Sequence, residues 1–196
     1  SGIDAIFSFL PLEYEMAKLP LELLLVALLA FLNLRGMKES IKFLMPIFLG
    51  FVVTHLGLII YGIASHHYGL SDLIPHAVKE TKELSSAFGW VFVLSLFLKA
   101  FSMGGGTYTG LEAVSNNVNT LSEPRVSTAK LTMFLLAVSL AFMAAGIIII
   151  YLLWGVIKVD GQTLNATVFY TITDTWNYGD IKLSTFIVPI VLILDA

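Results

Sequence analysis

Apolar residues run through this chain in blocks, with no alternation of apolar and polar faces inside them. Blocks at 19–34, 43–64, 88–118, 131–157 and 183–196 are nearly free of charge, and the charged residues collect between them. A helix that crosses the ~30 Å hydrocarbon core of a bilayer needs about 20 apolar residues. Blocks 43–64 and 131–157 meet that length comfortably. Block 19–34 is slightly short and has Pro20 and Glu22 at its start, while 183–196 is cut off by the end of the chain. The pattern predicts an all-α polytopic membrane protein, with residues 1–196 forming part of one transmembrane domain. The stretches 33–42, 65–87, 119–130 and 158–182 read as connections.

Composition agrees. The chain is 57% hydrophobic and 13% charged, with mean hydropathy +0.87. A soluble domain carries about 25% charged residues, so this chain could not cover its surface in water. The lipid bilayer is its expected partner. Cysteine is absent, which removes disulfides and thiolate metal sites. A net charge of −3 gives nucleic acid nothing to bind. Ser1 is not an initiator methionine, no basic-then-apolar signal peptide opens the chain, and the last apolar run ends abruptly at Ala196. The expectation is a piece of a longer protein.

The connections differ in charge density. The short stretches 33–42 and 119–130 hold Arg35, Lys38, Lys42, Arg125 and Lys130 against Glu39 and Glu123 alone. Dense basic residues in short loops mark the cytoplasmic side, so both are expected inside, in a cell-membrane protein. The longer, more acidic 65–87 and 158–182 are then outside, where Asn165-Ala166-Thr167 would fit a glycosylation acceptor. Tyr61, Trp90, Trp154 and Trp176 fall near outer boundaries, as an aromatic belt would.

The most informative interruption is Gly104-Gly105-Gly106, followed by Thr107-Tyr108-Thr109-Gly110-Leu111-Glu112. Lipid offers no partner for a freed amide or carbonyl, so a helix broken at depth must face protein, water or a solute. Counted from Phe88, the glycines lie roughly 24 Å in along a straight helix. Three consecutive glycines cannot share one packing face, because helical neighbours lie three or four apart. Leu111, Val114 and Val118 resume helical spacing, so a second half-helix is expected to begin near Tyr108. Its free amides would favour an anion and the carbonyls before the break a cation, with side-chain oxygens of Thr107, Tyr108 and Thr109 at the same level.

The run from Gly106 to Asn116, with Glu123-Pro124-Arg125 after it, resembles the sixth helix and following loop of the amino acid permease family, within the amino acid–polyamine–organocation superfamily. Asn33-Leu34-Arg35-Gly36-Met37-Lys38-Glu39-Ser40 resembles that family's loop between helices four and five. The resemblance covers nearly the whole chain, from the approach to helix four to part of helix eight. It implies a fragment of a 5+5 inverted-repeat transporter fold, in which a discontinuous helix lines the substrate site. Half of that site would lie outside this chain. The glycine-rich stretch and the Thr-Tyr-Thr-x-x-Glu spacing also resemble a branch that imports potassium with protons. There, the threonine matching Thr109 helps hold the ion and the acid matching Glu112 is linked to proton coupling.

On this reading Gly104, Gly105, Gly106, Thr107, Tyr108 and Thr109 bind substrate, and Glu112 and Lys99 take part in ion coupling. Intramembrane carboxylates are costly and usually functional, though Glu112 could also sit hydrated at the cytoplasmic mouth. Lys99 could pair with a carboxylate outside the chain, occupy a coupling-cation position, or snorkel. His55, in mid-span, could relay protons, although a bond to a neighbouring helix explains it more simply. His66, His67 and His76 read as loop residues, and Pro124 and Arg125 as a turn at the cytoplasmic end. Pro46 and Pro189 could kink their spans.

The main expectation is a secondary active transporter of amino acids, coupled to an ion gradient with the proton as coupling ion. Proton-coupled potassium uptake is the alternative, and an ion channel built on glycine-rich carbonyls a third. The solute would be an amino acid or a monovalent cation. No catalytic constellation appears, so no enzyme, cofactor or metal site is expected. No oligomeric state follows from the residues.

Overall fold

In a medium without water, an α-helix satisfies its own backbone groups, and helix takes up most of this chain. A computed structural model describes the backbone of residues 2–35 and 37–195, and their side chains except those of 33, 35, 37–43, 107 and 108. The helices are α1 (Gly2–Phe7), α2 (Lys18–Arg35), α3 (Met37–Ser65), α4 (Leu70–Phe88), α5 (Trp90–Gly104), α6 (Thr109–Asn116), α7 (Arg125–Leu153), α8 (Leu164–Thr173) and α9 (Ser184–Asp195). Short 3-10 turns cover Leu12–Ala17, His67–Gly69, Gly105–Tyr108 and Val118–Thr120. A hairpin of β1 (Asn177–Tyr178) and β2 (Ile181–Lys182) pairs Asn177 with Lys182 and Tyr178 with Ile181. Gly179 sits in its two-residue turn at φ +60°, a conformation that favours glycine.

Leu44–Ser65 and Arg125–Leu153 are each long and apolar enough to cross a membrane, and α5 with α6 makes a third, bent candidate. Large apolar side chains on these helices, among them Phe48, Val53, Phe97, Phe134 and Phe142, are exposed. That is the expected state of a lipid-facing surface. The chain is therefore an α-helical integral membrane protein, with one small hairpin as its departure from all-α.

The chain divides into two compact units. The first comprises residues up to His67 and from Ile147 onward, and its core forms around α9, which packs against α1, α3 and α8. Val188, Val191 and Leu192 bury one face of α9; Ile3 and Ala5 come from α1, and Val168, Phe169 and Ile172 from α8. On α3 the buried stripe is His55, Leu58, Ile59 and Gly62, an i, i+3, i+4, i+7 series on one helical face. Between apolar helices in lipid, such contacts stabilise through close packing more than through removal from water. Gly62 makes the close approach possible. A Cβ there would lie 2.9 Å from Ile172 Cδ1 and 3.1 Å from Ile150 Cγ2. The Trp154 indole donates to the Gly62 carbonyl (3.1 Å) and stacks on His66 with ring centroids 3.7 Å apart.

A hydroxyl pair ties α1 to the start of α8. Ser8 Oγ donates to the Asp4 carbonyl (2.7 Å) and accepts the Thr163 amide (2.9 Å). Thr163 Oγ1 in turn accepts the Ala166 amide (3.2 Å), an N-cap. Asp4 also pairs with Lys18 at the start of α2; the hydrogen bond between them raises the Lys18 pKa above 10.5.

The second unit, Tyr68–Gly146, contains α4, α5, α6 and most of α7. Gly89, at φ +84°, turns the chain between α4 and α5, which pack together. Arg125 opens α7, with Glu123 accepting from its backbone amide (3.3 Å) and pairing with its guanidinium (3.0 Å).

Several expected boundaries move. The connection 65–87 is mostly the amphipathic α4, whose Leu70, Leu73, Ile74, Ala77 and Val78 recur at helical spacing among charges. The connection 158–182 holds α8 and the hairpin. Of connection 33–42, positions 33–35 belong to α2 and 37–42 to α3; the side chains of Arg35, Lys38, Glu39 and Lys42 lie outside the described residues. Connection 119–130 gives way to α7 at Arg125, which ends at Leu153 and not 157. Asn165 lies in α8 with its amide engaged by neighbours, so it is no exposed glycosylation acceptor.

Two predictions follow from the first unit. Gly62→Leu should destabilise it by about 1–3 kcal/mol through overpacking, whereas Gly57→Ala, where a Cβ meets nothing within 4 Å, should change stability by under about 1 kcal/mol. Thermal unfolding in detergent measures both, and equal midpoints would remove the close contact at Gly62. Thr163→Ala should cost about 1 kcal/mol and speed hydrogen exchange at the Ala166 amide about fivefold.

Candidate functional site

Glycine lowers helical stability by about 1 kcal/mol relative to alanine, so three in a row invite the chain to leave the α-helix. The departure is small. α5 ends at Gly104, one 3-10 turn covers Gly105–Tyr108, and α6 starts at Thr109. The axes of α5 and α6 meet at 47°. Gly104 (φ −74°, ψ −13°) and Gly105 (φ −58°, ψ −28°) keep right-handed dihedrals, so the left-handed freedom of glycine is not used here. The break expected at Gly104–Gly106 takes the form of a tightened turn, and the second half-helix begins at Thr109, next to the expected Tyr108. The Gly105 amide donates to the Ser102 carbonyl and the Thr109 amide to the Gly106 carbonyl, the i→i+3 bonding of a 3-10 turn.

Thr109 Oγ1 also donates to the Gly106 carbonyl, at 2.6 Å. Two oxygens, one carbonyl and one hydroxyl, therefore lie side by side at the bend, and the hydroxyl keeps its lone pairs. Among the described residues, a Cβ built on Gly104, Gly105, Gly106 or Gly110 meets nothing within 4 Å. Helix packing inside this unit does not account for the glycines. The side chains of Thr107 and Tyr108 lie outside the described residues.

Glu112 occupies the first turn of α6, where the helix dipole favours a carboxylate. Its position is exposed, as is that of Lys99 on α5. Neither forms an ion pair among the described residues. The structure thus joins Thr109 to Gly106 and leaves Glu112 and Lys99 apart from them. No described element of the unit covers Glu112, so a buried carboxylate is not what is seen.

A second polar cluster escaped the sequence reading. In the core of the first unit, Tyr151 of α7 donates to Asn165 Oδ1, and Asn165 Nδ2 donates to Asp195 Oδ2 (3.2 Å). Asp195 Oδ1 stands 3.7 Å from His55 Nε2. His55 is fully buried, its Nδ1 lies 3.0 Å from the Phe51 carbonyl, and its ring packs on Phe51 and edge-on to Phe169. Of its members only His55 stood out in the sequence, as a proton relay or a group bonded to a neighbouring helix; Tyr151, Asn165 and Asp195 gave no signal of the cluster. The other histidines remain outside this cluster: His67 bonds back to the Ala64 carbonyl, and exposed His76 stands near Glu80.

No family model matches the chain, and no solved structure matches it significantly. It is 31% identical over 180 residues to the Potassium transporter KimA of Bacillus subtilis (strain 168). The similarity takes in 87% of this chain, which spans 28% of that protein's length.

Proposed function

We propose that this chain is part of a secondary transporter of the amino acid–polyamine–organocation superfamily that takes up potassium together with protons. The observation that carries the reading is the 31% identity to a potassium transporter across 87% of the chain. The amino acid substrate, first choice on the residues alone, gives way to the monovalent cation on that ground. Chemistry at the bend agrees with the choice. An amino acid needs complementary anion and cation sites, whereas potassium needs a cage of oxygens. The Thr109 hydroxyl and Gly106 carbonyl, 2.6 Å apart, are two such oxygens, and a bound cation would take the place of the hydroxyl proton between them.

In this reading the bend at Gly104–Gly106 lets backbone oxygens reach the solute. Thr107 and Tyr108, whose backbone belongs to the same turn, are assigned to the same solute site. Glu112, at the start of α6, exchanges the coupling proton, and Lys99 on α5 takes part in ion coupling. The rest of the cage lies on helices outside this chain, in a cell-membrane protein whose positions 33–42 and 119–130 face the cytoplasm. The chain acts as a carrier with no catalytic group, and substrate passes by rocking of helix bundles around the bend.

Rubidium uptake by the full-length protein in liposomes tests this. Thr109→Ala should raise the half-saturating rubidium concentration about tenfold, a loss of ~1.4 kcal/mol, and Thr109→Ser should restore it. Glu112→Gln should remove the dependence of uptake on a proton gradient. Uptake of labelled amino acids in place of rubidium, or rubidium uptake indifferent to both variants, would reject the assignment. Flux that fails to saturate would indicate a channel.

A further inference from the structure

We infer that His55 and Asp195 form a proton-binding site in the core of the first unit, a pair that holds one proton between imidazole and carboxylate. Nothing in the potassium reading requires this site, whose residues belong to the first unit while Gly104–Gly106 belong to the second.

The argument begins with the Phe51 carbonyl, which can only accept. His55 Nδ1 lies 3.0 Å from it, so Nδ1 carries a hydrogen. In a neutral imidazole the other nitrogen then presents a lone pair. Nε2 is fully buried with no hydrogen-bond partner, and it points at Asp195 Oδ1 across 3.7 Å. A lone pair facing an ionised carboxylate is repulsive, and a buried nitrogen without a partner is destabilising. One proton removes both penalties, whether it sits on Nε2 as an imidazolium beside a carboxylate or on Oδ1 as a carboxylic acid donating to Nε2. Binding it takes the pair from net charge −1 to zero, the form that an apolar core tolerates. At 3.7 Å the bond itself is not closed, and a modest approach of α9 to α3 would close it.

The surroundings hold the pair in place without competing for the proton. Asn165 donates to Asp195 Oδ2 (3.2 Å), and its own oxygen accepts from Tyr151. The amide thus orients the carboxylate so that Oδ1 is left for His55. Phe51 and Phe169 close two sides of the ring. From α8 the facing polar group is Asn165, from α7 Tyr151, and from α9 Asp195. On the more distant α1 and α2, Asp4 and Lys18 pair with one another, and Glu22 stands near Lys18. Among the described residues Asp195 is the charged group that stands within 4 Å of the His55 ring nitrogens.

The test is nuclear magnetic resonance on the full-length protein in lipid nanodiscs, with nitrogen-15 histidine and carbon-13 aspartate. His55→Gln identifies the His55 signals and D195N those of Asp195. Between about pH 4 and 9, Nδ1 should stay protonated while Nε2 and the Asp195 carboxyl carbon titrate with a common midpoint, as one coupled step. D195N removes the attracting charge and should lower the His55 midpoint by about one unit, tenfold in proton affinity. Independent midpoints at the two nuclei, or no titration at either in that range, would overturn the site. The wild-type comparison needs no variant to fold. Because protonation is read directly, the outcome is separate from whether the intact protein moves potassium.

Discussion

Every backbone amide and carbonyl in the membrane-spanning parts of this chain has to find its partner within the protein, because hydrocarbon offers none. That demand explains more than the helical content. The hydroxyl side chains inside the apolar helices fold back onto their own backbone: Thr54 onto Gly50, Ser65 onto Tyr61, Ser95 onto Val91 and Thr173 onto Phe169. The same demand disciplines the one interruption. At Gly105–Tyr108 the helix tightens to a 3-10 turn, and the carbonyl of Gly106 is met both by an amide and by the Thr109 hydroxyl. Glycine lowers the stability of the α-helix enough for a bend, yet the backbone stays bonded through it.

Two polar features survive in this apolar setting, and they differ in kind. The bend presents oxygens on a surface that no described neighbour covers, suited to a solute that must come and go. The His55–Asp195 cluster is enclosed by aromatic rings and oriented by Asn165 and Tyr151. His55 is fully buried while Asp195 is part-buried, and a proton is the smallest charge such a pair could exchange.

Much of the architecture was legible in the residues. Blocks 43–64 and 131–157, which comfortably meet the spanning length, became the two helices long and apolar enough to cross a membrane, and the triple glycine marked the bend. What stayed hidden has a physical cause. In α3, residues 43–64 are apolar on nearly every side, so no periodicity singles out His55, Leu58, Ile59 and Gly62 as the core stripe. The helical period of α4 was present in Leu70, Leu73, Ile74, Ala77 and Val78, but its charges suggested a loop. The partnership of His55 with Asp195 could not be read at all, since it depends on how α9 docks against α3. At the candidate site, the glycines and Thr109 drew attention through their chemistry, while the right-handed geometry of the turn followed from hydrogen bonding that composition does not reveal.

The bond between Ser8 and Thr163 joins positions 155 apart in sequence. Synthesis at about 5–20 residues per second separates their appearance by roughly 8–30 s. Throughout that interval α1 can hold its early neighbour α2 through Asp4 and Lys18, but neither the N-cap of α8 nor the packing face of α9 yet exists. The first unit therefore cannot close until the residues of the second, which lie between its two segments in sequence, have been made. Its earliest helix is also among the last to reach its final partners, so a chain released early would leave α1 without the contacts that fix it.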